Sequence, residues 1–335
     1  MYQRHSIAYK RAVVVVAALS VVAIHAAAEP VHAAAAPLRI VSYNVENLFH
    51  PAHDSVAGEP KDDLEWTPEG ERRWTYARYR NKVENIARVL TNIGEWEGVD
   101  IVGLCEVENA QCVKQLCNVL RHGEYDFVHY ESPDRRGIDV ALVYKKSRID
   151  TLQTRPIPVS LVSPDNGVTE TTRDVLYVHA KIDDLDTLHL FVCHMPSQLG
   201  GRAGSEWKRK AVRNILQNAV DSVLQADSQA RIIVMGDMNS SPADDLAGLN
   251  NRMKDRTDSI QNTKGTHKWH GQWTCLDQFY TSPALDTVSS VRIYDAEWIQ
   301  ETDERYMGLK PKRTYNGFRY QNGFSDHLPI VLTIR

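Results

Sequence analysis

The chain has few cysteines, no Cys-x-x-Cys pair, no internal repeat and, beyond its first residues, no long apolar run. Each absence removes a class. Without paired cysteine motifs, neither a thiolate zinc site nor a dithiol redox centre is supported. The five cysteines, Cys105, Cys112, Cys117, Cys193 and Cys275, are compatible with one disulfide or none. Cys105 and Cys193 fall inside apolar strand-like runs and are expected to pack as small hydrophobes. Without a second apolar run, no integral membrane span is expected. An excess of positive charge is also missing: 39 Lys and Arg against 43 Asp and Glu give a formal charge of −4. That is not the overall field of a general nucleic-acid binder. An anionic ligand must therefore be held locally, by a metal or a small basic cluster.

What is present begins with the N-terminus. Arg4, Lys10 and Arg11 precede the thirteen residues Ala12 to Ile24, apolar except for Ser20, and alanine clusters follow at residues 26–28 and 33–36. A basic head, a short apolar core and small-residue cleavage sites describe a secretory signal peptide. Residues 1–28 are expected to be removed, with cleavage as late as residue 36 as the other candidate, leaving one domain over 37–335. Export to the periplasm or the medium follows. Cleavage at residue 28 removes three basic and no acidic residues and takes the charge from −4 to −7.

From Leu38 onward, strand-like and helix-like segments alternate, as in a single α/β domain. Leu38–Tyr43, Val99–Cys105, Tyr125–Tyr130, Ile138–Tyr144, Ile149–Thr154, Asp174–Ile182, Thr187–Cys193, Arg231–Met235 and Leu328–Ile334 read as strands. Tyr76, Tyr79, Val83, Ile86, Ala87, Leu90 and Ile93 recur at helical spacing, with Gly94 as the stop. A second helix is expected from Asn109, as its cap, to His122, and a third, amphipathic one from Gly200–Gly201 through Leu224. The polar stretch His50–Arg73 is long for a loop without structure of its own, a trait of functional lids.

Five of these runs begin or end with the same kinds of side chain: Asn44 and Glu46, Glu106, His194, Asp237 and Asn239, and Asp326 and His327. Each alone has an ordinary explanation, since Asn and Asp favour turns and a lone His is usually surface or core. Their recurrence at strand ends is not ordinary. Carboxylates, carboxamides and imidazoles together suit phosphate chemistry, which requires a cation on the phosphate oxygens, a positioned water and a group at the departing oxygen.

The motifs Ser42-Tyr-Asn-Val-Glu-Asn-Leu-Phe49, Cys105-Glu-Val-Glu-Asn109, His194-Met-Pro-Ser197, Gly236-Asp-Met-Asn-Ser-Ser-Pro242, Leu276-Asp277 and Ser325-Asp-His-Leu-Pro329 resemble, in order, the motif series of the endonuclease/exonuclease/phosphatase superfamily. The resemblance spans residues 38–335. It implies the deoxyribonuclease-I-like fold: a four-layer α/β/β/α sandwich, two mixed β-sheets face to face with helices outside. It also implies metal-dependent phosphoester hydrolysis, with Mg²⁺ the usual ion and Mn²⁺ or Ca²⁺ as substitutes. Members cut DNA or RNA, sphingomyelin or inositol phosphates.

Residue by residue, the resemblance makes Glu106 the first metal ligand, with Asn44 beside it on the metal or a phosphate oxygen, and Asp326 and Glu46 as further acidic positions. Asp237 and Asn239 would position and deprotonate the attacking water. Alternatively His327 is the base, with Asp277 orienting its ring. His194 would contact the phosphate or act as general acid. Arg136, Arg313 and Tyr315 are candidate substrate contacts, and Asp139 is a candidate partner of His194. The leading expectation is an exported, monomeric nuclease; the alternatives are a phosphatase or sphingomyelinase-like phospholipase on inositol, sugar or lipid phosphates, and a non-catalytic binding module.

Overall fold

The structure, a computed structural model, describes residues 36–52, 63–183, 186–198, 201–241, 249, 252–257, 260 and 264–335. The expected signal peptide, Gly200 at the start of the third helix and the middle of the 50–73 stretch lie outside the described residues. In chain order the main strands are β1 (Leu38–Leu48), β2 (Ile101–Val107), β3 (Tyr125–His129), β4 (Asp139–Lys145), β5 (Ile149–Ile157), β6 (Val175–Ile182), β7 (Asp186–His194), β8 (Ile232–Asp237), β9 (Lys254–Asp255), β10 (Asp277–Thr281), β11 (Val288–Ile293) and β12 (Ile330–Ile334). They form two six-stranded sheets, ordered β11-β12-β1-β2-β4-β3 and β9-β10-β8-β7-β6-β5.

Each sheet contains one parallel pair, β1 with β2 and β7 with β8. Parallel neighbours need a crossover, which helix α1 (Tyr76–Gly94) supplies in the first sheet and α3 (Arg202–Ala226) in the second. Helix α1 starts where the Thr75 side chain accepts from the Arg78 amide, and it buries Tyr79, Val83, Ile86, Leu90 and Ile93. Helix α2 (Ala110–Arg121) is capped as expected, the Asn109 side chain accepting from the Cys112 amide at 3.0 Å.

Side-chain alternation along the strands separates the layers. Leu190 and Val192 of β7 and Ile233 and Met235 of β8 join the core shared with the first sheet. Phe191, Cys193 and Val234 point the other way, onto Val212, Leu216 and Val220 of α3. The sheets meet closely: a Cβ on Gly103 of β2 would lie 2.9 Å from the Met235 sulfur. This is the four-layer α/β sandwich. All five cysteines are free, four of them buried, so no disulfide contributes. Among the described residues, no helix is long and apolar enough to cross a membrane.

The strand boundaries depart from expectation in one informative place. Strand β1 does not stop at Tyr43 but continues to Leu48 through an irregularity, pairing Asn44 with Cys105 and then Leu48 with Val107. Glu46, Asn47 and Glu106 have φ of 53°, 55° and 66°, a left-handed backbone that costs non-glycine residues roughly 1 kcal/mol or more each. Such bulges lift residues out of a ladder and re-aim their side chains.

Candidate active site

The carboxyl ends of the two parallel pairs lie at one edge of the sandwich, the place where ligands meet open α/β sheets. Asn44 and Glu106 come from β1 and β2; His194 and Asp237 come from β7 and β8 and are directly paired. Gly236 makes that pairing possible. Its φ is 143°, and a Cβ there would sit 1.8 Å from the Cys193 carbonyl oxygen. Antiparallel β10 begins at the same edge with Asp277 opposite Asp237, and His327 is delivered just before β12.

These side chains form one network. Asn44 Nδ2 donates to Asp237 Oδ2 at 3.0 Å, joining the two sheets. The Asn239 amide donates to Asp237 Oδ1 at 2.9 Å, and Asn239 Nδ2 donates to the Met195 carbonyl at 3.0 Å. The Nε2 atoms of His194 and His327 approach Asp237 Oδ2 from two sides, at 3.7 and 3.8 Å. His327 Nδ1 lies 2.7 Å from Asp277 Oδ2, fixing the ring with Nε2 toward Asp237.

The electrostatics follow from burial and neighbours. Burial alone would lower the His327 pKa, but Asp277 and Asp237 outweigh it and hold it well above the ordinary histidine value. His194 goes the other way, lowered by burial with Arg173 and Arg136 adding to it. Asp237 is pushed up to about 6 by burial, against His327 and with Asp277. The edge thus holds one imidazole biased to the cation, one biased to the neutral form and a carboxylate biased toward a proton, the separation expected of acid–base partners.

Glu106 carries the best donor for a metal. Its Oε2 accepts from the Asn47 amide at 2.9 Å. Its Oε1 accepts no hydrogen bond among the described residues and faces Arg136 at 3.7 Å and His194 at 3.9 Å. An anionic oxygen with free lone pairs beside a carboxamide suits a hard ion such as Mg²⁺, so Glu106, with Asn44 next to it, fits that group. The ligating atoms of His267, Asp326 and His327 also lie within 4.8 Å of one another. There, however, His327 is engaged by Asp277 and biased to the imidazolium, which has no lone pair to give.

Other expected residues stand differently. Glu46 is buried with both oxygens occupied: Oε1 meets Arg313 Nε at 3.0 Å, and Oε2 accepts from the Thr314 amide at 2.6 Å. Arg313 also bonds Asp326 Oδ2 at 2.9 Å, which draws the Asp326 carboxyl down to about 2 against the upward pull of burial. These two acids therefore face an arginine. Arg136 is at the site, donating to Asn47 Oδ1 at 2.8 Å. Asp139 does not partner His194; it accepts from the Ser132 amide at 3.1 Å and lies 3.4 Å from His129. Tyr315 does not overhang the site either. It is buried against Trp66 and Trp74, and its hydroxyl donates to the Arg72 carbonyl at 2.9 Å.

Two residues that contact the network, Lys82 and His267, lie outside the sequence motifs. Lys82 is fully buried in α1, its Nζ donating to Thr314 Oγ1 at 2.5 Å and the Phe324 carbonyl at 2.6 Å, 3.9 Å from Glu46. Its signal was available: a lysine lies on the apolar stripe between Tyr79 and Ile86. His267 pairs with His327 across an isolated bridge, ring centroids 4.9 Å apart; no local pattern marks it.

Comparisons with known proteins agree on the fold. An endonuclease/exonuclease/phosphatase family protein from Bacteroides thetaiotaomicron is 17% identical, covering 90% of this chain and 98% of its own at a TM-score of 0.54. Truncated TDP2 from Caenorhabditis elegans is 18% identical, with 89% and 97% covered and a TM-score of 0.55. A mannosyl-6-phosphatase from Bacteroides thetaiotaomicron is 16% identical, with 89% and 100% covered and a TM-score of 0.57. No curated protein sequence matches the chain. The family model described as Endonuclease/Exonuclease/phosphatase family matches residues 39–335, nearly all of the described chain and every residue of the site, and the chain belongs to that family of phosphoester hydrolases.

Proposed function

We propose that the protein is an exported, Mg²⁺-dependent phosphodiesterase whose substrate is nucleic acid. The observation that carries the chemistry is the convergence of His194 and His327 on Asp237, with Glu106 and Asn44 across the same opening. Mg²⁺, when bound, would supply positive charge to the phosphate and departing oxygens. The protein's own groups do the rest. Asp237, held by Asn44 and the Asn239 amide, takes the proton of the attacking water. His327, oriented by Asp277, places its N–H on a phosphate oxygen and stabilises charge there. His194 Nε2 and Arg136 contact the phosphate from the Glu106 side. Export rests on the charged, apolar and alanine-rich order of residues 1–36.

The second reading is a phosphomonoesterase acting on sugar phosphates, favoured by the shared fold of the mannosyl-6-phosphatase. Turnover with Mg²⁺ or Mn²⁺ on single-stranded and plasmid DNA, RNA, sphingomyelin and sugar phosphates separates the two. Cleavage of a nucleic acid is expected. Turnover of a sugar or lipid phosphate beside none of any nucleic acid would replace the nuclease reading. Sequencing the N-terminus of the exported protein tests the export claim, and an intact Met1 there would refute it.

A further inference from the structure

Beside the catalytic edge lies a cavity of about 330 Å³ with Asp326 and Arg313 at one end. It lies between two short hairpins, of which only His267 touches the hydrolytic network. One is the pair His267–Trp269 and Gln272–Thr274; the other is Gln300–Thr302 and Leu309–Pro311. They are joined by Lys268, whose Nζ meets Asp303 Oδ2 at 2.8 Å and the Met307 carbonyl at 2.7 Å. Gly271, with φ of 82°, turns the first hairpin against Tyr306, where a Cβ would come within 3.1 Å of the Tyr306 Cβ. The walls are therefore tied together without a ligand.

Two features of the cavity point to its occupant. Trp269, His270 and Tyr306 form a stack, with ring centroids 4.6 and 5.7 Å apart and planes inclined by 11° and 27°, and Trp269 remains 64% exposed. An exposed indole held on a rigid turn offers a π-face to a ring. Among the described residues, Arg305 pairs with no carboxylate; it lies over the Tyr306 ring at 5.2 Å. Lys310 stands on the same wall, 3.4 Å from Glu301. A chain whose formal charge is −4 thus keeps an available guanidinium beside a stacking platform, next to its hydrolytic site.

We infer that this cavity is a nucleotide subsite, which takes the unit adjoining the scissile phosphate of a single strand. The unpaired base lies on the Trp269 stack, and the next phosphate meets Arg305. The size is at the low end of ligand pockets, about 300–1,000 Å³, and suits one nucleotide. A duplex keeps its base faces stacked on one another and has none to offer. The inference rests on the phosphodiesterase reading and names the substrate of that same site.

The test is binding of a dye-labelled single-stranded oligonucleotide in EDTA, followed by anisotropy, for wild type, Trp269→Ala, Trp269→Phe and Arg305→Ala. It is paired with Mg²⁺-dependent kinetics on the same strand and on bis(p-nitrophenyl) phosphate, which carries no second phosphate. Trp269→Ala and Arg305→Ala are expected to weaken strand binding about tenfold, acting on KM rather than kcat. Trp269→Phe should recover most of the binding, and all variants should hydrolyse the small diester within about twofold of wild type. Wild-type binding that is unchanged in both alanine variants, no single-strand binding at all, duplex bound as tightly as single strand, or equal losses on both substrates would overturn the subsite. Trp269-dependent binding without any hydrolysis by wild type would keep the subsite and sink the phosphodiesterase reading.

Discussion

At the scale of single residues, the site turns on how His327 is held. Asp277 is buried, and its carboxylate both fixes the ring through Nδ1 and, with Asp237, raises the imidazole's pKa against burial. Asp277→Asn keeps the shape and removes that charge. Its kcat is expected to fall about 10²–10⁴-fold with little change in thermal midpoint, measured by steady-state rates beside a melting scan. An unchanged rate would remove His327 from the chemistry. Residues such as Glu106, His194 and Asp237 were legible in the sequence because each closes an apolar run, a local pattern. Glu46 was legible as an acid but not as an arginine's partner, since Arg313 comes from a loop 267 residues away. Tyr315 misled because an aromatic after a basic run looks the same locally whether it turns outward or, as here, into a core of tryptophans.

At the scale of elements, strand geometry decides where these residues point. Strand β8 can lie beside β7 with Asp237 next to His194 only because Gly236 has no Cβ to strike the Cys193 carbonyl. Gly236→Ala is expected to cost roughly 3 kcal/mol or more, read as a lower urea midpoint, and wild-type stability would contradict the strand packing described. The β6–β7 pair carries a second expectation. His189 stacks on His179 with centroids 4.2 Å apart, and burial, with His179 adding, lowers its pKa to about 4. The unfolded chain therefore binds the proton near 6.5 and the folded one only near 4, so stability falls as pH drops through that window. His189→Gln should lessen the loss of thermal midpoint between pH 6.5 and 4; equal slopes for variant and wild type would refute the assignment. The alternating strands and the three helices were readable from periodicity. The bulges at Glu46 and Glu106 were not, because a left-handed residue within a ladder leaves no mark on hydrophobic spacing.

At the scale of the molecule, two sheets contribute two halves of one site. Asn44 and Glu106 belong to the first, His194, Asp237 and Asp277 to the second, and the Asn44–Asp237 hydrogen bond spans them. The closeness of Gly103 and Met235 sets the separation. That convergence was visible only as a motif order in the sequence, since periodicity fixes which face a side chain takes but not which sheets stack. In the proposed function, this edge hydrolyses a phosphodiester with a metal at Glu106. Initial rates on a single-stranded oligonucleotide, in Mg²⁺ and in EDTA, for wild type and Glu106→Gln test it most directly. Wild-type cleavage that EDTA abolishes is expected, with a rate at least about 10²-fold lower for Glu106→Gln. Full activity of Glu106→Gln, or wild-type cleavage indifferent to EDTA, would contradict it.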